Sequence, residues 1–240
     1  MVMSEHTAKA FDIDLQELTR MVAEMGGLAE KQVADSIDAL ARRDTDRAQR
    51  TVAADLAIDA LQREIEEKAV LTIARRQPMA VDLREIVGAL RVANDLERIG
   101  DLAKNIGKRV LALDSEFHPP KLIRGVEHMG GLVLAQLKEV LDSYARHDLK
   151  KAMAVWNGDE EVDAMCTSLF RELLTYMMED PRNITFCIHL MFCAKNIERM
   201  GDHATNVAET VYYMIEGHEI ADQRPKGDTT TSFATLAAEK

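Results

Sequence analysis

The feature that most constrains this chain is an internal repeat. RMVAEMGGLAEKQVADSIDALARRD (20–44) aligns with RGVEHMGGLVLAQLKEVLDSYARHD (124–148). Arg20, Met25, Gly26, Gly27, Leu28, Ala41, Arg42 and Asp44 recur 104 residues later as Arg124, Met129, Gly130, Gly131, Leu132, Ala145, Arg146 and Asp148. DLAID (55–59) matches DEEVD (159–163) at the same spacing. Beyond Pro78 and Pro181 the spacing shortens to 101, and NDLERIGDLAKNI (94–106) matches KNIERMGDHATNV (195–207). Two copies fall short of the three or more that a solenoid needs, so the expectation is two like units side by side.

Each unit reads as three helices. Prolines 78, 119–120, 181 and 225 fall where long periodic stretches stop. Between them the pattern predicts helices at 12–43, 45–76, 79–114, 120–146, 148–179 and 183–218. Asp44 and Asp148 are placed to cap consecutive helices. The fold class is therefore all-α, with two tandem repeat-related three-helix bundles built from six long helices. The chain divides into an extension at 1–11, a first repeat at 12–115, a second at 116–218 and a flexible tail at 219–240. Scarce aromatics, at 5%, and abundant Ala, Leu, Met, Glu, Lys and Arg suit helices packed on helices. The MGGL glycines cost helix stability, and close helix approach within each bundle is the expected compensation.

Composition also narrows function. With 41 acidic against 30 basic residues, a net charge of −11 and no long basic run, nucleic-acid binding is excluded. The first residues lack the apolar stretch of a signal peptide. The most apolar run, ITFCIHLMFCA (184–194), is too short to span a bilayer and reads as a core helix, with His189 as a satisfied core histidine. Cys166, Cys187 and Cys193 have neither zinc nor disulfide spacing. These features predict a soluble intracellular protein without direct membrane insertion.

The chemistry concentrates in carboxylate pairs. Random placement of 41 acids would give roughly seven pairs at i,i+4, which helical repulsion should thin. Four occur: Asp55/Asp59, Glu97/Asp101, Asp159/Asp163 and Glu198/Asp202, all at repeat-matched positions. Residues i and i+4 share a helix face, so two facing helices bring four carboxylates together in each repeat. Such a cluster repels itself unless a hard, oxygen-seeking cation neutralises it. Asn105 and Asn206, one turn on, are possible carbonyl ligands, and Gly100 and Gly201 would let a metal cluster or a neighbouring backbone approach. His203 is either a ligand or a histidine just outside the site, since its counterpart is Leu102. All-oxygen ligation suits a divalent or trivalent ion such as magnesium, calcium, manganese or iron better than a structural zinc. A ferritin-like oxidase needs Glu-x-x-His on two helices, and no histidine here follows a glutamate at that spacing. No catalytic constellation stands out. Arg75 and Arg76, in ARRQP (74–78), complement a helix C-terminus and are also candidate partner contacts.

The duplicated layout, ERIGD and ERMGD, the D-x-x-x-D on each preceding helix, and ARRQP followed by DLREI together resemble the PhoU family of bacterial phosphate-transport regulators, over about residues 10–218. The resemblance implies two three-helix bundles, often in a homodimer, with metal clusters on the E(D)-x-x-x-D motifs. Position by position, the implied ligands are Asp55, Asp59, Glu97 and Asp101, then Asp159, Asp163, Glu198 and Asp202. The metal itself is left open among iron, manganese, magnesium, calcium and zinc. It further implies a non-enzymatic negative regulator of the phosphate-starvation (Pho) regulon. Its partners would be the ATPase subunit of a phosphate ABC transporter and a phosphate-sensor histidine kinase, met in the cytoplasm at the inner face of the membrane. Two other readings are an accessory regulator of a low-affinity phosphate permease and a hydrolase using the carboxylate-bound metal.

Overall fold

The computed structural model describes residues 2–113, 120–222 and 224, with side chains over 11–113, 121–222 and 224. Its elements are α1 (Val2–Arg42), α2 (Thr45–Arg76), α3 (Val81–Ala112), α4 (Pro120–Arg146), α5 (Leu149–Asn157), α6 (Asp159–Glu179), one 3₁₀ turn at Pro181–Asn183 and α7 (Ile184–Glu216). The expected all-α class holds, with no strand among the described residues.

Three boundaries differ from expectation. The helix of α1 already runs through most of the 1–11 extension, from Val2. α3 starts at Val81, because Gln77 and Ala80 take positive φ values of 50° and 48° around Pro78. The fifth helix breaks at Gly158, whose N–H reaches the carbonyls of Ala154 and Val155 at 3.1 and 3.0 Å. Asn-Gly is weak in a helix interior, whereas Asp159, Glu160 and Glu161 gain from standing in a first turn, where the macrodipole is positive. The break therefore sets Asp159 at a helix start. Residues 223 and 225–240, most of the expected tail, lie outside the described residues.

The caps are repeat-symmetric. Arg43 and His147 are left-handed, at φ 56° and 52°. The next N–H then reaches back, from Asp44 to Ala39 and from Asp148 to Ser143, each at 3.0 Å. Asp44 and Asp148 cap the following helices by accepting from the N–H of Arg47 at 2.8 Å and of Lys151 at 3.2 Å.

The core forms from helical stripes. On α1, Leu18, Val22, Met25, Ala29, Val33 and Leu40 point inward. α3 packs against α1, α2 and α7 at once, and its buried Gly88, Ala89, Ala93, Ala103 and Gly107 keep those approaches short. α1–α3 make one bundle and α4–α7 the other, and α1 on α4 with α3 on α7 join them. The first glycine of each MGGL, Gly26 and Gly130, serves this junction, not the interior of each bundle as expected. A Cβ on Gly26 would stand 2.8 Å from Leu141 of α4, and one on Gly130 would stand 2.5 Å from Ile37 of α1. Ile37 and Leu141 are themselves repeat partners, so the contact is reciprocal, as across a two-fold axis.

Gly27 and Gly131 meet nothing within 4 Å. Gly130→Ala is expected to lower stability by about 1–3 kcal/mol through overpacking, less a helix-propensity gain of about 1 kcal/mol. Gly131→Ala keeps only that gain and raises the melting temperature. Thermal unfolding of the two variants checks the contrast, which equal shifts would refute.

Candidate metal centres

In the first repeat α2 supplies Asp55 and Asp59, and α3 supplies Glu97 and Asp101. Asp55 is only 3% exposed. It is held by Lys104, one turn beyond Asp101, whose ammonium lies 2.5 Å from Asp55 and 2.5 Å from Asp101. Burial works against the charge of Lys104, but hydrogen bonds to Asp101 and Asp55 outweigh it and hold its pKa well above the ordinary lysine value. Arg98 stands 3.4 Å from Glu97 and 3.8 Å from Asp101. The carboxyl of Glu97 is pushed up, first by burial and then, against Arg98, by Asp101, Asp59 and Asp55. Those causes place all four predicted carboxylates in one electrostatic neighbourhood.

In the second repeat Asp159, Asp163 and Glu198 are buried and Asp202 is partly exposed. The counterpart of Lys104 is Thr205, whose hydroxyl donates to Asp159 at 3.3 Å. A different part of the chain supplies the cation. Arg224, beyond α7, donates through Nε to Asp159 at 3.0 Å and stands 2.8 Å from Asp202. Lys195 donates to Glu198 at 2.8 Å. Burial leads again in raising the Glu198 carboxyl, opposed by Lys195 and assisted by Asp202 and Asp163.

No three of His, Cys, Asp or Glu among the described residues form a ready set of metal ligands. The donors nonetheless fit a hard cation. One oxygen of Glu97, the one 3.4 Å from Arg98 Nε, and one of Glu198 are buried without a hydrogen bond, at matched positions in the two copies. Either is an acceptor that a cation would satisfy. Gly100 and Gly201 make room for side chains of their own bundle, not for a neighbouring backbone. Their absent Cβ atoms would meet the side-chain oxygens of Gln32 at 3.0 Å and Gln136 at 3.6 Å. These glutamines tie the clusters down, donating to the carbonyl of Thr51 at 3.1 Å and of Gly158 at 2.9 Å. Their own oxygens have no partner.

Other candidates sit apart. Asn206 donates to Asp95 at 3.2 Å, and His203 Nδ1 meets the same oxygen at 2.8 Å, so both join α7 to α3. Asn105 lines a cavity with Lys108, Arg109 and His189. Arg76 binds Asp14 of α1 at 3.0 Å, while Arg75 is exposed. His189 departs from its expected place in the core: it is half-buried at that cavity, and its Nδ1 has no partner.

The raised glutamate pKa values fix a pH dependence. In the window between the ordinary glutamate pKa and the raised one, folded protein keeps a proton that unfolded chain has lost. The ionised carboxylate thus costs stability fully above the raised pKa, and the cost disappears as pH falls below the ordinary value of about 4.3. Glu198→Gln in chelator-treated protein is expected to raise the urea midpoint at neutral pH, with the gain shrinking toward pH 4. A gain independent of pH would contradict this origin.

Taken together, these features describe a duplicated helical protein with one carboxylate cluster in each copy. The sequence profile of the PhoU domain matches residues 22–110 and again 126–211. A phosphate-specific transport system accessory protein PhoU homolog of Rhizobium meliloti is 58% identical over 96% of this chain and 98% of its own. A homolog of the same description from Caulobacter vibrioides is 55% identical over 94% and 98%. The crystal structure of PhoU from Pseudomonas aeruginosa superposes with a TM-score of 0.84 at 40% identity, covering 87% of this chain and 100% of that one. The chain belongs to the PhoU family.

Proposed function

We propose that this chain is a negative regulator of the Pho regulon and a modulator of phosphate uptake. It acts as a metal-binding adaptor between the ATPase subunit of a phosphate ABC transporter and a sensor histidine kinase, as a homodimer. The observation that carries the reading is the match, over nearly the whole length of both chains, to proteins named as accessory to phosphate-specific transport. The regulatory part and the two partners rest on the family resemblance. No helix among the described residues is long and apolar enough to cross a membrane, and in this reading the protein reaches the inner face through its partners. Exposed Ile184, Ile188 and Phe192, spaced along one face of α7, add apolar surface for such a partner.

Asp55, Asp59, Glu97 and Asp101 would hold a metal in the first repeat, and Asp159, Asp163, Glu198 and Asp202 in the second. A bound ion of two or three charges would neutralise the cluster and offer open positions to an acidic or phosphorylated group of a partner. The chain's own residues set the competition for those carboxylates, through Lys104 in one copy and through Arg224 and Lys195 in the other.

The test is alkaline phosphatase activity in cells that lack the gene and grow in abundant phosphate. Activity is expected to be high and to return to low with the wild-type gene. The double variant Glu97→Ala/Asp101→Ala is expected to restore it only partly while losing bound metal in the first repeat. Low activity in the deletion strain would overturn the regulatory reading, and unchanged metal content in the variant would overturn the ligand assignment.

A further inference from the structure

The two ends of the α3–α7 seam hold cavities of about 390 and 380 Å³. The helices run antiparallel: Arg91 lies over the ring of Tyr213 near one end, and Arg109 over the ring of Phe192 near the other. The 101-residue offset carries Asn105, Lys108, Arg109 and Ala112 of α3 onto Asn206, Glu209, Thr210 and Tyr213 of α7. It likewise carries Asp95 onto Asn196. The first four line one cavity together with Asn196, and their counterparts line the other together with Asp95. The two cavities are therefore built largely from repeat-matched positions of α3 and α7.

Their charges have parted. The first contains Asp95, Glu209, Glu219 and Asp222 beside Arg91. In the second, lysine stands for Glu209, arginine for Thr210 and asparagine for Asp95, and no carboxylate is among its lining residues. Neither Lys108 nor Arg109 makes an ion pair among the described residues, although the chain carries a net charge of −11. The ring of Phe192, 3.9 Å from the Arg109 guanidinium carbon, fixes that group by its face and leaves N–H edges to donate. His189 Nδ1 is buried without a partner, and an orphaned polar atom of that kind calls for a ligand or an ordered water. Burial first, and then the charge of Arg109, push its imidazole below the ordinary pKa.

We propose that the cavity formed by Asn105, Lys108, Arg109, His189 and Asn196 binds a small tetrahedral oxyanion of the phosphate class. Two positive charges, that of Arg109 held over Phe192, meet the anion's charge, and two amides and an imidazole supply donors to several oxygens. The volume is that of about a dozen waters, which admits such an ion with part of its hydration shell. The same chemistry serves free inorganic phosphate and a phosphoryl group on a partner's side chain. The site is separate from the carboxylate clusters and does not depend on their metal.

Inorganic phosphate and a phosphoserine peptide are titrated separately into the full chain at fixed ionic strength, followed by phosphorus NMR and by the His189 imidazole signals. The comparison variant is Lys108→Glu, which restores the charge of the sister cavity at an exposed position, with helical content checked by circular dichroism. Saturable binding of inorganic phosphate that moves His189 and weakens at least tenfold in Lys108→Glu is the expected result and identifies free phosphate. The same behaviour with the peptide alone keeps the site and assigns it to a phosphoryl group on a partner. Absence of saturable binding of both probes overturns the proposal, as does equal binding by wild type and variant.

Discussion

The structure depends on how it neutralises carboxylates that it has itself brought together. Each repeat sets four acids on facing helices, and several of them are buried. Two like charges 4 Å apart repel by about 4 kcal/mol at the effective dielectric near a protein surface. A native domain, with a total stability of roughly 5–15 kcal/mol, cannot leave such a cluster unopposed. Here the opposing charge comes from within: Lys104 between Asp55 and Asp101, and Arg224 between Asp159 and Asp202. The opposition is incomplete, since Glu97 and Glu198 each keep a buried oxygen without a hydrogen bond. A metal ion would complete it.

The two copies solve one problem with different means. In the first, the cation is part of α3 and cannot leave the site without a change in side-chain conformation. In the second, Thr205 takes that place, the helix carrying Asp159 begins afresh after Gly158, and the cation arrives on the segment beyond α7. The second cluster therefore takes its cation from a residue outside any helix, where the first takes it from within α3. Duplication gave one scaffold, and the charged positions then diverged on it, at the clusters and at the two seam cavities alike.

The fold and the acid pairs were legible because both are local and periodic. Helical stripes, proline punctuation and capping aspartates need no tertiary information, and repeat-matched i,i+4 acids stand out against a chain that otherwise avoids that spacing. The partners of the acids were less so. Lys104 was within reach of sequence reasoning, since it shares the face of Glu97 and Asp101. Gln32 and Gln136 carried a signal too, as an identical residue at matched repeat positions. Arg224 carried none, because only the return of the chain past Gly217 brings it to Asp159. The role of MGGL was misplaced for the same reason: a glycine signals close approach but does not say which helix approaches. Only the assembled bundles identify Leu141 and Ile37 as the neighbours.

In the function proposed above, the carboxylate clusters are cation sites contested between the chain's own basic groups and a metal. The most direct test is a manganese titration of wild type and Arg224→Ala, followed by fluorescence of the single tryptophan, Trp156, three residues before Asp159. Manganese is paramagnetic and quenches a nearby indole. If Arg224 competes with the metal, quenching saturates at clearly lower manganese in Arg224→Ala than in wild type. Identical titrations, or none in either protein, would contradict it.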